Sequence, residues 1–116
     1  MSHDNTIGLI SLALDAALMR QTAIANNIAN ANTSDYQTQE VNFEQQLTNL
    51  TTQEDNLDES IVGTIKPFYE QSTTSSSLDE QIALSVKNAT HFRALIKGLN
   101  HKLAIMKLAV QGNNQS

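Results

Sequence analysis

The sequence predicts a mainly α-helical chain. Two long helices, one N-terminal and one C-terminal, should form an antiparallel coiled-coil-like pair around an irregular, weakly β middle segment. Three observations predict this. Apolar residues recur at alternating spacings of three and four over residues 7–31 and again over 78–110. A capping box, Ser77-Leu78-Asp79-Glu80, opens the second run. Between the runs the chain turns polar, carries its only Pro and ends in a Ser/Thr cluster. The expected divisions are residues 1–36, 37–76 and 77–116, parts of a single split domain.

In the first run Ile7, Ile10, Leu14, Ala17, Gln21, Ile24, Ile28 and Ala31 form a seam with one polar member, Gln21. A polar seam residue can fix register between paired helices. Asp4, Asn5 and Thr6 are candidate caps for the helix start. Leu9, Leu12, Ala13, Ala16, Met19 and Ala23 cover the other faces, so this helix is apolar nearly all round and must be buried on more than one side. It weakens at Asn26, Asn27, Asn30 and Asn32, because the asparagine amide competes for backbone hydrogen bonds. Thr33-Ser34-Asp35 then reads as a turn. For Asn27 and Asn30 two readings stay open: a fraying helix end, or buried amides that hydrogen-bond across a helix interface.

In the middle, Val41, Phe43, Leu47 and Leu50 suit a short amphipathic helix. Residues 53–60 read as an acidic loop. The β-prone run from Ile61 to Tyr69, broken by Gly63 and Pro67, reads as an extended segment or weak hairpin, and Gln71–Ser77 as a flexible linker.

The second helix is the firmest expectation. Leu78, Ile82, Ser85, Ala89, Phe92, Ile96, Leu99, Leu103, Met106 and Val110 keep the seam rhythm without a slip. Asp79 and Glu80 suit the positive end of the helix dipole, Lys102 and Lys107 its negative end, and Gly112 a closing C′ position. Its last turns, from Leu103 to Val110, are apolar on more than one face. Folded against each other, the two helices would leave those extra faces bare, and identical neighbours would be the simplest cover.

Composition narrows the function classes. Of 116 residues only 4% are aromatic, none is Trp and none is Cys, so disulfides and thiolate chemistry are excluded. The net charge of -5 opposes nucleic acid as a partner, and it is unevenly spread. Residues 1–77 carry ten acids against Arg20 and Lys66; residues 78–116 carry two acids against five bases. Pairing between acidic and basic parts, within or between copies, is the expected outcome. No uncharged apolar stretch is long enough for a membrane span, and no cleavable secretory signal is expected. His91 and His101 stand ten apart on one helix, too far to share a metal. Asp55, Asp58 and Glu59 lie in a polar loop with nothing apolar to raise a carboxyl pKa. The glycines are isolated, so no phosphate loop is present. No cofactor, no metal and no enzymatic activity are expected.

Asn27-Ile28-Ala29-Asn30-Ala31-Asn32-Thr33, then Tyr36, then Phe43-Glu44, resembles the N-terminal signature of the bacterial flagellar rod and hook protein superfamily. That signature usually places Pro-Gly before the Tyr; here Ser34-Asp35 stands there, and Asp tolerates the left-handed region better than most residues. Leu78-Asp79-Glu80, Asn88, Phe92, Leu95, Leu99, Leu103 and Leu108 resemble the C-terminal helix of the short rod members, with Phe92 where Tyr is usual. The resemblance implies a structural subunit of the flagellar basal-body proximal rod that self-assembles through its terminal helices. It also implies export without a cleavable signal by the flagellar type III apparatus, and a place in the periplasmic rod. The implied partners are other copies of the chain, other rod proteins, the membrane-ring and ring-junction proteins, and the export apparatus. The expected assembly interface is Ile7, Ile10, Leu14, Ile24, Asn27, Ile28, Asn30, Ile82, Asn88, Phe92, Ile96, Leu99, Leu103 and Met106. The competing expectation is a soluble helical adaptor or secretion chaperone that forms a discrete oligomer.

Overall fold

A computed structural model describes residues 3–53 and 59–115. In order the elements are α1 (His3–Ala29), β1 (Gln39–Asn42), α2 (Glu44–Gln53), α3 (Glu59–Val62), β2 (Phe68–Gln71) and α4 (Leu78–Gln115). The body is a narrow rod, 66 × 29 × 16 Å.

The long helices run antiparallel. The Ala17 carbonyl accepts from Asn88, Gln21 donates to Ser85, and Asn27 donates to Gln81, so rising numbers on α1 meet falling numbers on α4. The α1 column that carries Ala17 and Gln21 therefore faces α4, and Ile10, Leu14, Ile24 and Ile28 share that column. Gln21 also accepts from Asn88, so the one polar seam residue is tied across the pair.

α1 is covered from a second direction by its own chain. Ala16, Ala23, Val41, Phe43 and Ile65 form a buried cluster, with Leu9, Leu12, Ala13, Met19, Leu47 and Leu50 packed against it. The expectation that a second copy would cover both extra faces is thus corrected for α1: the middle segment does it. On α4 the extra face is open, with Leu103, Ile105, Leu108 and Val110 exposed. By length and average apolarity, Thr6–Ala29 could cross a membrane. Packing on two sides and the internal partners of Arg20 and Asn27 instead make it the central core helix.

The middle differs in detail from expectation. Val41 lies in β1 and Phe43 just beyond it, so only Leu47 and Leu50 belong to a helix, α2. β1 pairs antiparallel with β2, Gln39 opposite Gln71 and Asn42 opposite Phe68. The Ser72 amide donates to the Thr38 carbonyl at 2.7 Å and extends the ladder. Of the β-prone run only Phe68 and Tyr69 are strand; α3 and the turn after it aim Val62 and Ile65 inward instead. Gln46 ties α2 to this return segment. Its Nε2 donates to the Lys66 carbonyl at 2.8 Å, and the Lys66 amide donates to its Oε1 at 3.2 Å. Asp55 and Asp58 lie outside the described residues.

α4 spans 38 residues, about 57 Å at 1.5 Å per residue. Its capping box forms as expected: the Glu80 amide donates to Ser77 Oγ at 3.2 Å, and the Ser77 amide donates to Glu80 Oε1 at 3.4 Å. Gly112 does not close it; the helix continues to Gln115. Lys102 and Lys107 accordingly fall before the last turn, which holds no basic residue. At the other end, α1 begins by His3, so residues 4–6 lie inside its first turn rather than at its cap.

Candidate assembly interface and polar joint

α1 ends at Ala29, two residues past its Asn26-Asn27 pair. Asn30 donates both its backbone amide, at 3.0 Å, and its side chain, at 2.9 Å, to the Asn26 carbonyl, and accepts from Thr33 Oγ1 at 3.0 Å. The Tyr36 amide reaches back to the Thr33 carbonyl, closing a turn over Ser34 and Asp35. Asp35 sits at φ 62°, the left-handed conformation that glycine ordinarily supplies at the third position of such a turn. A short polar side chain meets the requirement at a modest steric cost.

The turn delivers Tyr36 and Gln39 to Asn27, which is 5% exposed. Asn27 Oδ1 accepts from Tyr36 Oη and from the Gln39 amide, both at 2.9 Å. Its Nδ2 donates to the Gln39 carbonyl at 2.9 Å and to Gln81 Oε1 at 3.0 Å. Every hydrogen-bonding capacity of the amide is used. Gln81, 4% exposed, passes the connection on to Ser76 Oγ. One side chain on α1 therefore binds the turn, the first strand and the start of α4. Asn88, 6% exposed, makes a second crossing about two turns further along α4, to the Ala17 carbonyl and Gln21. Of the two readings of the asparagines, Asn27 takes the buried amide and Asn30 the local helix end. Gln81 and Tyr36 were not among the expected interface residues. The signal for Gln81 was its place one heptad before Asn88, a polar column beside the apolar one.

Among the other expected interface residues, Ile24 is buried; Ile7, Ile10, Leu14, Ile28, Phe92, Leu99 and Met106 are partly covered. Ile82, Ile96 and Leu103 face outward, 48%, 37% and 45% exposed. The expected α4 seam thus divides into two lines. Gln81, Ser85, Asn88, Phe92, Leu95, Leu99, Lys102 and Met106 are the covered line. Leu78, Ile82, Ile96, Leu103 and Val110 border it and stay open.

Charge follows the long axis. Asp35, Glu40, Asp79 and Glu80 are exposed at the end where α1 stops and α4 starts. Lys87 and Arg93 are exposed along the second quarter of α4, and Lys97 and Lys107 along its far half. Between them Arg20 bonds Glu44 at 2.7 Å and the Val41 carbonyl at 3.3 Å. Among the described residues no group of His and acidic side chains could hold a metal. The shallow hollows, such as one of about 420 Å³ beside β1 and α4, gather no nucleophile with a base. What the surface offers is an open apolar and basic helix edge and an acidic opposite end.

Two comparisons bear on this surface. A family described as "Flagella basal body rod protein" matches residues 11–37, from the middle of α1 through the left-handed turn. The chain is also similar to the flagellar basal body rod protein FlgB of Bacillus subtilis (strain 168). The two are 27% identical over 125 aligned positions, covering 92% of this chain and 94% of that protein.

Proposed function

We propose that this chain belongs to the flagellar basal-body rod family and is a structural subunit of that rod, a reading supported by the match over residues 11–37 and by the 27% identical relative. The observation that carries the reading is a coincidence of place. The stretch the family shares, residues 11–37, is the stretch that builds the Asn27 joint and packs on both sides. It is not an enzyme, and the discrete adaptor or chaperone has no support from either similarity.

The finer reading follows from the surface. The subunit self-assembles through its terminal helices as part of the proximal rod. The open α4 edge supplies the apolar area that assembly buries. Ordering entropy of the helices is offset when neighbours cover that edge. The chain leaves the cytoplasm through the flagellar type III apparatus without a cleavable signal and takes its place in the periplasmic rod. There it meets other rod proteins and the membrane-ring and ring-junction proteins.

Complementation tests this. Cells lacking the gene should regain motility with the wild-type chain, and isolated basal bodies should contain it. Motility without the chain in purified basal bodies would overturn the reading.

A further inference from the structure

We infer that the far half of α4 docks on the near half of α4 in a second copy, the two helices parallel and offset, with Lys97 set against Asp79. This rests on the rod reading and deepens it by naming the surfaces that meet. Asp79, Val86, Lys97, Ala104 and Leu108 are all exposed and fall along one line of the helix. On that line the near half is acidic and apolar, with Val86 65% exposed; the far half is basic and apolar, with Leu108 67% exposed. The covered face of α4 is already committed to α1, as the Asn88 and Gln81 bonds show. On that line Asp79 and Lys97 are opposite in charge, and neither can reach the other within one straight helix.

Asp79 and Lys97 are about five turns apart, roughly 27 Å along the axis. Residues on one line meet only if the second copy turns about the helix direction as it shifts. A shift with a turn is a screw operation, which leaves a free near half at one end and a free far half at the other. It builds an open array rather than a closed pair. An antiparallel pairing of the same faces would satisfy the same charges and stop at two.

Sedimentation velocity over a concentration series tests this, at about 0.05 M and about 0.5 M salt. The wild-type chain should grow beyond a dimer at low salt. K97E and D79K should each move that growth to several-fold higher concentration, high salt should do the same, and the double variant should recover most of the loss. Far-ultraviolet circular dichroism checks that the variants fold; if D79K loses helix, D79N replaces it and should show a smaller shift of the same sign. A wild-type chain that does not associate or stops at a dimer overturns the inference, as do single variants that associate normally or a double variant no better than its parents. Incorporation into basal bodies is scored in parallel. Wild-type incorporation with salt-indifferent association leaves the rod reading standing and removes this inference; absence from basal bodies removes the rod reading itself.

Discussion

Asn27 and Gln39 bond each other twice: the side-chain amide of one donates to the carbonyl of the other at 2.9 Å and accepts from its backbone amide at 2.9 Å. The Asn27 side chain thereby acts toward β1 as a neighbouring strand's peptide group would. On the β1 edge not paired to β2, Asn27 takes Gln39 and Arg20 donates to the Val41 carbonyl at 3.3 Å.

Replacing Asn27 should therefore cost more than a surface amide. Asn27→Ala leaves the Gln39 amide and Gln81 without their partners in a covered site and should destabilise the chain by about 2–4 kcal/mol. Asn27→Asp keeps the shape but cannot donate to the Gln39 carbonyl or Gln81, and should also destabilise. Urea midpoints measure both; Asp retaining wild-type stability would show that the donated bonds contribute nothing.

The turn at Asp35 should improve with glycine. Asp35→Gly removes the steric cost at φ 62° and should raise stability by about 0.5–1 kcal/mol, while Asp35→Val should lower it by more. Melting temperatures of the two variants should move in opposite directions.

The cap of α4 is a local device. Ser77→Ala removes the acceptor for the Glu80 amide and should cost about 1 kcal/mol. Amide exchange should quicken near Leu78 to Glu80 and remain unchanged beyond Asn88.

Ile96 and Phe92 separate folding from assembly. Ile96 is 37% exposed on the open line, so Ile96→Asp should shift monomer stability by less than about 1 kcal/mol yet block incorporation and motility. Phe92, partly covered on the α1 side, should when changed to Asp unfold the helix pair itself. Circular dichroism of the dilute variants, beside a swarm assay, distinguishes the two.

Helix existence was legible because Ser77 to Glu80 carries its own start signal and the seam rhythm beyond it is local. Which line of α4 faces α1 was not. The expected line and the covered line share Ser85, Phe92, Leu99 and Met106; elsewhere the covered line holds Gln81, Asn88, Leu95 and Lys102, and the open line Leu78, Ile82, Ile96, Leu103 and Val110. A rule that puts apolar residues inside prefers the wrong neighbour when polar side chains are paired across the seam. The strands escaped for another reason. Gln39 and Gln71 are far apart in sequence with no hairpin turn to announce the pairing, and four-residue strands carry little periodicity. At Asp35 the resemblance pointed to a glycine-like position, and the left-handed backbone is there.

Ala16, Ala17 and Ala23, each 1% exposed, are the most deeply covered side chains among the described residues of α1. Their methyl groups let α4 and the middle segment approach the helix closely, while Ile24, Val41, Phe43 and Ile65 carry the larger apolar burial. Directional amide bonds supply alignment, and they tolerate little misfit. Close helix approach and amide bonds of fixed direction together set a single register for the pair.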